Sequence, residues 1–277
     1  MLGESSSTAP AQPVAFRSLD GLRLAGTYVA PATPSTSVAV LVHGGGVTRE
    51  EGGFFARLAD GLAAGGIASL RFDLRGHGES EGRQEDLTIS GVLNDIRAAL
   101  AHARTLAGST PVHLLGASFG GGICGFYAAR YPESLAKLVL INPLINYKKR
   151  FIDDKPYWTD DRIDDDAGRQ LLQQGFLPHS PTFKLGRPLL NEVFYLRPDQ
   201  AVDQIKVPTL VLHGTGDTFI PVQSSRDLIE KLAGPAELIE IEGAQHGIAA
   251  HDDPQYLEPQ TQAWQAAAIQ SITEWLS

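Results

Sequence analysis

A chain of 277 residues, 43% of them hydrophobic, is long enough to bury a large core and predicts one main domain. Its 23 Lys and Arg against 32 Asp and Glu leave a formal charge of −9, which excludes nucleic acid as a partner because no basic face supplies the phosphate-neutralising charge. The one cysteine, Cys124, excludes an intrachain disulfide and a cysteine-based zinc site, and it fits a reducing, cytoplasmic setting.

The opening segment MLGESSSTAPAQP has neither a positive n-region nor an apolar run, so residues 1–13 are expected to form a disordered tail and not a signal peptide or anchor. Residues 16–29 read as an antiparallel hairpin turning at Asp20-Gly21. Short runs rich in Val, Ile and Leu follow at 38–42, 67–72, 112–115, 138–141, 209–212 and 238–241. Apolar on both faces, they suit parallel strands buried between two helix layers. Segments of helical period at 54–64, 88–106, 119–131, 223–232 and 260–275 supply the crossovers. The predicted class is α/β: a mostly parallel twisted sheet with helices on both faces and the antiparallel hairpin at its edge. No stretch approaches the roughly 20 apolar residues needed to span a bilayer.

The alternation breaks between 144 and 206, where a charge run, YKKRFIDDKPYWTDDRIDDD, precedes a proline-containing stretch. An inserted cap is expected there, dividing a core of residues 14–143 and 207–277. Eight aromatics fall in the 57 residues from 144 to 200, against 13 in the remaining 220. They serve the cap's own packing, a pocket for an apolar or aromatic substrate, or a homodimer contact. Tyr147, Trp158 and Phe176 are the candidate pocket residues. The aspartates Asp160, Asp161, Asp164, Asp165 and Asp166 lack the alternating pattern and closing glutamate of a calcium loop and are read as a solvated helix start, so no metal site is expected.

The chemistry is carried by Gly116-Ala117-Ser118-Phe119-Gly120, set between a strand and a helix. In that context the serine of a G-x-S-x-G pentapeptide occupies a strained turn that lifts its hydroxyl above the sheet. A serine hydroxyl is too weak an acid to attack a carbonyl at neutral pH without a base. His246, in GAQHG after the last strand, is the candidate base, and Asp217, in HGTGD after the penultimate strand, is the candidate orienting acid. The chain order Ser, Asp, His differs from those of chymotrypsin and subtilisin. His43-Gly44-Gly45-Gly46 follows the first central strand, where backbone N–H groups can approach a substrate oxygen. The oxyanion donors are assigned to Gly45 and Phe119, with Gly46 as the close competitor and a candidate substrate contact. Arg75 and His77 are expected to shape the turn after 67–72, His43 to hydrogen-bond within its loop, His213 to pack beside the acid, and Cys124 to be a small buried hydrophobe.

HGGG, DLRGHGES, GASFG, HGTGDTFIP and GAQHG, in that order, resemble the α/β-hydrolase family over nearly the whole chain. Within it the sequence resembles small bacterial cinnamoyl or feruloyl esterases, through RFDLRGHGESEG, DLTISGVLNDIRAAL and the short cap. It departs from them at Phe119, where they often carry glutamine, and in HGGG, which replaces a bulkier residue. The resemblance implies a serine hydrolase acting through an acyl-enzyme, without cofactor, on a small-molecule ester or thioester. The same triad serves lactone closure, acyl transfer or C–C cleavage, and a non-catalytic binding protein is a further alternative. Epoxide hydrolases and dehalogenases use an aspartate where Ser118 stands.

Overall fold

Two antiparallel strands open the chain, β1 (Gln12–Arg17) and β2 (Arg23–Val29), paired from Gln12↔Tyr28 to Arg17↔Arg23. The structure is a computed structural model that describes residues 10–108 and 110–277. At the turn the Gly21 N–H donates to Ser18 O, and Gly21 adopts φ +94°, a left-handed conformation that suits a residue without Cβ. The expected tail of 1–13 runs too far, because Gln12 and Pro13 already belong to β1. Proline is tolerated there because an edge strand need not donate every ladder bond. Residues 1–9 lie outside the described residues.

The central elements follow as β3 (Ser37–Val42), α1 (Phe54–Ala64), β4 (Ile67–Phe72), α2 (Ile89–Ala107), β5 (Val112–Ala117), α3 (Ser118–Arg130) and β6 (Lys137–Ile141). After the insertion come β11 (Thr209–Gly214), α6 (Gln223–Ile229), β12 (Ala236–Ile241) and α7 (Pro259–Leu276). The eight-stranded sheet has the order β1-β2-β4-β3-β5-β6-β11-β12. β2 is antiparallel to both neighbours, and every pairing from β4 to β12 is parallel. Chain order reverses at β3, whose partners are β4 on one side and β5 on the other. Such a switch point leaves a crevice at the carboxyl ends of the strands, where ligands bind in open α/β sheets.

The period of two in each strand sorts its side chains between two cores. In β3, Ala39 and Leu41 pack with Phe55, Leu58 and Leu62 of α1 and Ile272 of α7, whereas Val38, Val40 and Val42 pack with Val92 and Ile96 of α2 and Ile123 of α3. Thr88 caps α2 by accepting the Gly91 N–H at 2.9 Å.

The segment between β6 and β11 holds elements that its charge pattern hides. β7 (Trp158–Thr159) and β8 (Arg162–Ile163) form a hairpin whose turn residues, Asp160 and Asp161, have φ +49° and +62°. Positive φ at both centres is the hairpin turn that favours Asp and Asn. Asp164 caps α4 (Asp165–Gln174) through the Ala167 N–H at 2.8 Å, and Asp165 and Asp166 lie in its first turn, where negative charge complements the helix dipole. Then β9 (Phe176–Ser180) and β10 (Phe183–Gly186) form a second hairpin, and α5 (Arg187–Glu192) leads back toward the core. Among the described residues no helix is long and apolar enough to cross a membrane.

Candidate active site

The turn from β5 to α3 places Ser118 at φ +49°, a strained conformation for a residue with a side chain. Such a sharp turn requires close packing behind it. A Cβ on Gly120 would lie 2.5 Å from His43 O, so only glycine lets α3 approach β3 this closely. Cys124, one turn along α3, is fully buried, and burial pushes its thiol well above the ordinary range, as befits an inert packing residue.

Three loops at the carboxyl edge of the sheet meet at this serine. His246 Nε2 lies 2.9 Å from Ser118 Oγ, and His246 Nδ1 lies 2.7 Å from Asp217 Oδ2. An ionised Asp217 can only accept, so Nδ1 carries the imidazole proton and Nε2 is left to accept from the serine hydroxyl. Asp217 is buried, which opposes its ionisation, yet hydrogen bonds from His213 and His246, the charge of His246 and the Ile220 N–H hold its carboxyl far below the usual range. Its Oδ1 accepts the N–H groups of Phe219 at 2.8 Å and Ile220 at 2.9 Å, and its Oδ2 also accepts from Asn142 Nδ2 at 2.7 Å. Asn142 follows β6 with φ +42°. No motif pointed to it; the sign available in the sequence was a polar residue at the end of an apolar strand.

The loop after β3 distributes its three glycine N–H groups differently. Gly44 donates to the buried Glu51 carboxylate at 2.8 Å, and Gly46 donates to His77 Nε2 at 3.1 Å. Gly45, between them, has no hydrogen-bond partner among the described residues and borders the cleft at Ser118 with Phe119. His43 locks the loop from below: its Nε2 accepts from Leu74 N–H at 2.9 Å, so its Nδ1 donates to Gly44 O at 2.7 Å. Burial, with the charge of His77 adding, holds His43 down at about 3, so it stays neutral. His77 Nδ1 donates to Arg75 O, and Arg75 is paired with the buried Asp95 and with Asp20, so both residues build the turn after β4. His213 is fully buried, with Ser225 Oγ at 2.7 Å and Ile220 O at 2.8 Å.

A cleft of about 60 Å³ opens beside Ser118, walled by Leu144, Phe151, His179, Phe183, Phe219 and Ile220. None of the three aromatic cap residues expected to line it does so. Tyr147 is fully buried beneath Phe119, its hydroxyl donating to Phe119 O. Trp158 packs against Phe194 with ring centres 5.9 Å apart, and Phe176 lies under the Lys184 ammonium. Gly46 is likewise absent from the wall, its left-handed turn packed under Thr182 and Phe183. The insertion's contribution is instead Phe151, His179 and Phe183, with Phe183 set edge-on to Phe119 at 5.2 Å. A second cavity of about 560 Å³ adjoins the cleft and shares Leu144, Arg150, Phe219 and Ile220 with it.

Two family models, several curated proteins and many solved structures are similar to this chain. The family described as Serine aminopeptidase, S33, matches residues 33–163, and the Dienelactone hydrolase family matches residues 193–277. The chain is 27% identical over 286 aligned positions to a monoacylglycerol lipase of Mycolicibacterium smegmatis, covering 94% of this chain and 95% of that protein. It is 27% identical over 217 positions to a bifunctional esterase/perhydrolase of Acinetobacter calcoaceticus, covering 66% and 76%. Among solved structures, Est1E from Butyrivibrio proteoclasticus with bound ferulic acid superposes with a TM-score of 0.75 at 23% identity, covering 94% of this chain and 99% of Est1E.

Proposed function

We propose that this chain, which belongs to the α/β-hydrolase superfamily and is a serine hydrolase of that fold, cleaves carboxylic esters with a small apolar or aromatic acyl group. The observation that carries the proposal is the unbroken relay from Ser118 Oγ to His246 Nε2 at 2.9 Å and from His246 Nδ1 to Asp217 Oδ2 at 2.7 Å, beside the unspent Gly45 N–H.

In this mechanism Ser118 Oγ attacks the ester carbonyl while His246 Nε2 takes its proton, and Asp217 stabilises the imidazolium without becoming protonated. The N–H groups of Gly45 and Phe119 stabilise the tetrahedral oxyanion, each worth on the order of 2.7–4 kcal/mol. The alcohol leaves with the proton from His246. Water, deprotonated by the same imidazole, then attacks the acyl-enzyme and releases the acid.

The printed activities of the relatives, lipase and esterase, support ester chemistry, and the aromatic wall of the cleft supports an apolar acyl group. The test is hydrolysis of p-nitrophenyl esters of increasing acyl length, of ethyl ferulate and of a matched thioester, with Ser118→Ala as control. Turnover that favours oxoesters with short or planar acyl groups and vanishes in Ser118→Ala is expected. Preference for the thioester would replace the esterase reading with a thioesterase. Folded protein that turns over none of these would refute it.

A further inference from the structure

The wall of the cleft carries a guanidinium that has no ion-pair partner among the described residues. Arg150 borders both the cleft at Ser118 and the larger cavity next to it. Its guanidinium lies 4.2 Å from the ring centre of Phe219, and that ring lies 5.3 Å from the ring of His246. Among the described residues no carboxylate comes within ion-pair distance of Arg150 or of its neighbour Lys155. The acids near Arg150 are committed elsewhere: Asp154 pairs with Lys149, and Asp217 is occupied by His246 and Asn142. His179 lines the same cleft, near Phe219, and its Nδ1 is buried without a hydrogen-bond partner among the described residues. It is held edge-on to Phe151 at 5.2 Å and to Phe183 at 5.9 Å.

Both features are costly as they stand. A buried polar nitrogen without a partner forfeits the hydrogen bonds it had in water, and a half-buried cation without a counter-charge is disfavoured. The three basic groups also oppose one another. Burial, and then the charges of Lys155 and Arg150, push His179 down to about 4, so its ring stays neutral; burial also lowers Arg150 and Lys155, against the charge of Asp154 and, for Arg150, of Asp217. A protein of net charge −9 that keeps Arg150 without an ion-pair partner in the wall of this cleft is arranged to receive an anion there.

Resting on the serine-hydrolase reading, we infer that the ester substrate carries a carboxylate close to the scissile bond, bound by the Arg150 guanidinium with His179 Nδ1 as a second hydrogen-bonding group. A planar guanidinium already braced on an aromatic face offers a carboxylate two parallel donors at little ordering cost. Phe219 then links recognition to chemistry, because the ring that supports Arg150 also flanks the base. Arg150 and His179 are specificity groups in this scheme; Ser118, His246 and Asp217 do the covalent work.

The test uses two matched substrate pairs. One pair puts the charge on the acyl side, p-nitrophenyl hemiglutarate against p-nitrophenyl valerate. The other puts it on the alcohol side, 4-acetoxybenzoate against its methyl ester. We expect the wild type to favour the anionic member of at least one pair by tenfold or more in kcat/KM, through KM. Arg150→Gln should reduce that ratio at least tenfold, and Arg150→Lys should restore part of it. Equal turnover within both pairs, or a ratio unchanged by Arg150→Gln, would overturn the inference. If folded wild type hydrolyses none of the four, the hydrolase reading fails on its own, and the anion site is decided by binding. Monomethyl glutarate should then raise the titration midpoint of the His179 imidazole, followed by NMR, in wild type and not in Arg150→Gln; no movement in wild type would refute the site.

Discussion

Glu51 is 7% exposed, sits at φ +46° and accepts the Gly44 N–H at 2.8 Å, within the loop that carries Gly45, the proposed oxyanion donor. Burial raises its carboxyl from an ordinary 4.5 to about 6, against the opposing effects of the Gly44 hydrogen bond and the charge of His246. The ring of Tyr256 lies nearby, and its hydroxyl is pushed up by burial and by Glu51. Below pH 4.5 the carboxyl is protonated whether the chain is folded or not. Above it the unfolded chain releases the proton first, so this contribution to stability is lost as pH rises through 4.5 to about 6 and stays lost beyond. At about 1.36 kcal/mol per pH unit the loss amounts to about 2 kcal/mol. Glu51→Gln keeps an oxygen for the Gly44 N–H and cannot ionise. Relative to wild type, the variant should therefore gain about 2 kcal/mol between pH 4 and pH 7.5. Urea unfolding at closely spaced pH values measures this directly. Parallel stability profiles for the two proteins would refute the argument, because the other carboxylates, Asp217 included, contribute alike to both.

Other substitutions probe separate parts. Asp217→Asn should lower kcat by on the order of 10⁴ with little change in KM, measured on the best p-nitrophenyl ester, because the imidazole loses the acceptor that fixes its tautomer. Phe183→Ala should shift the preference in the acyl-length series toward longer or bulkier groups while costing about 3–5 kcal/mol in unfolding free energy, since the ring is buried over Gly45. Asp95→Ala should destabilise by about 3–5 kcal/mol in urea unfolding, because it leaves the buried Arg75 with only the exposed Asp20 as partner. Gly120→Ala should cost about 1–3 kcal/mol and also depress kcat, because the added methyl pushes on His43 and Val42, which lead into the proposed oxyanion loop.

The sheet was legible because its signal is local. A strand buried on both faces must be apolar throughout, and β4 and α1 lie where the apolar runs and the helical period put them. Ser118, Asp217 and His246 could be named before any coordinates, since each sits on a loop that directly follows a strand, and parallel strands bring such loops to one edge. The insertion was opaque for the opposite reason. Its hairpins β7–β8 and β9–β10 have only a few residues per strand, too short for alternation to stand out, and its aspartates serve turns and a cap, which composition alone cannot separate from a solvated surface. The pocket residues were misplaced among the aromatics because burial under Phe119 and exposure to a cleft look identical in sequence: Tyr147 and Phe151 are four residues apart, and only Phe151 reaches the cleft. Asn142 and Arg150 depend on contacts with residues far along the chain, and Glu51 on a loop that folds back on itself, so none is marked by a motif.

The hairpin β9–β10 leans Phe183 over Gly45 closely enough that a Cβ on that glycine would come within 2.8 Å of the ring. The loops of the sheet therefore hold the proposed reacting groups while an inserted hairpin, anchored in the core by Leu177 and Leu185, supplies the ceiling above them. None of residues 176–186 pairs with a strand of the eight-stranded sheet, yet Leu177 and Leu185 of the same hairpin are buried in the core. A change of acyl preference can therefore be sought by exchanging the side chains that face the cleft while those two leucines stay in place, leaving the sheet and its loops untouched.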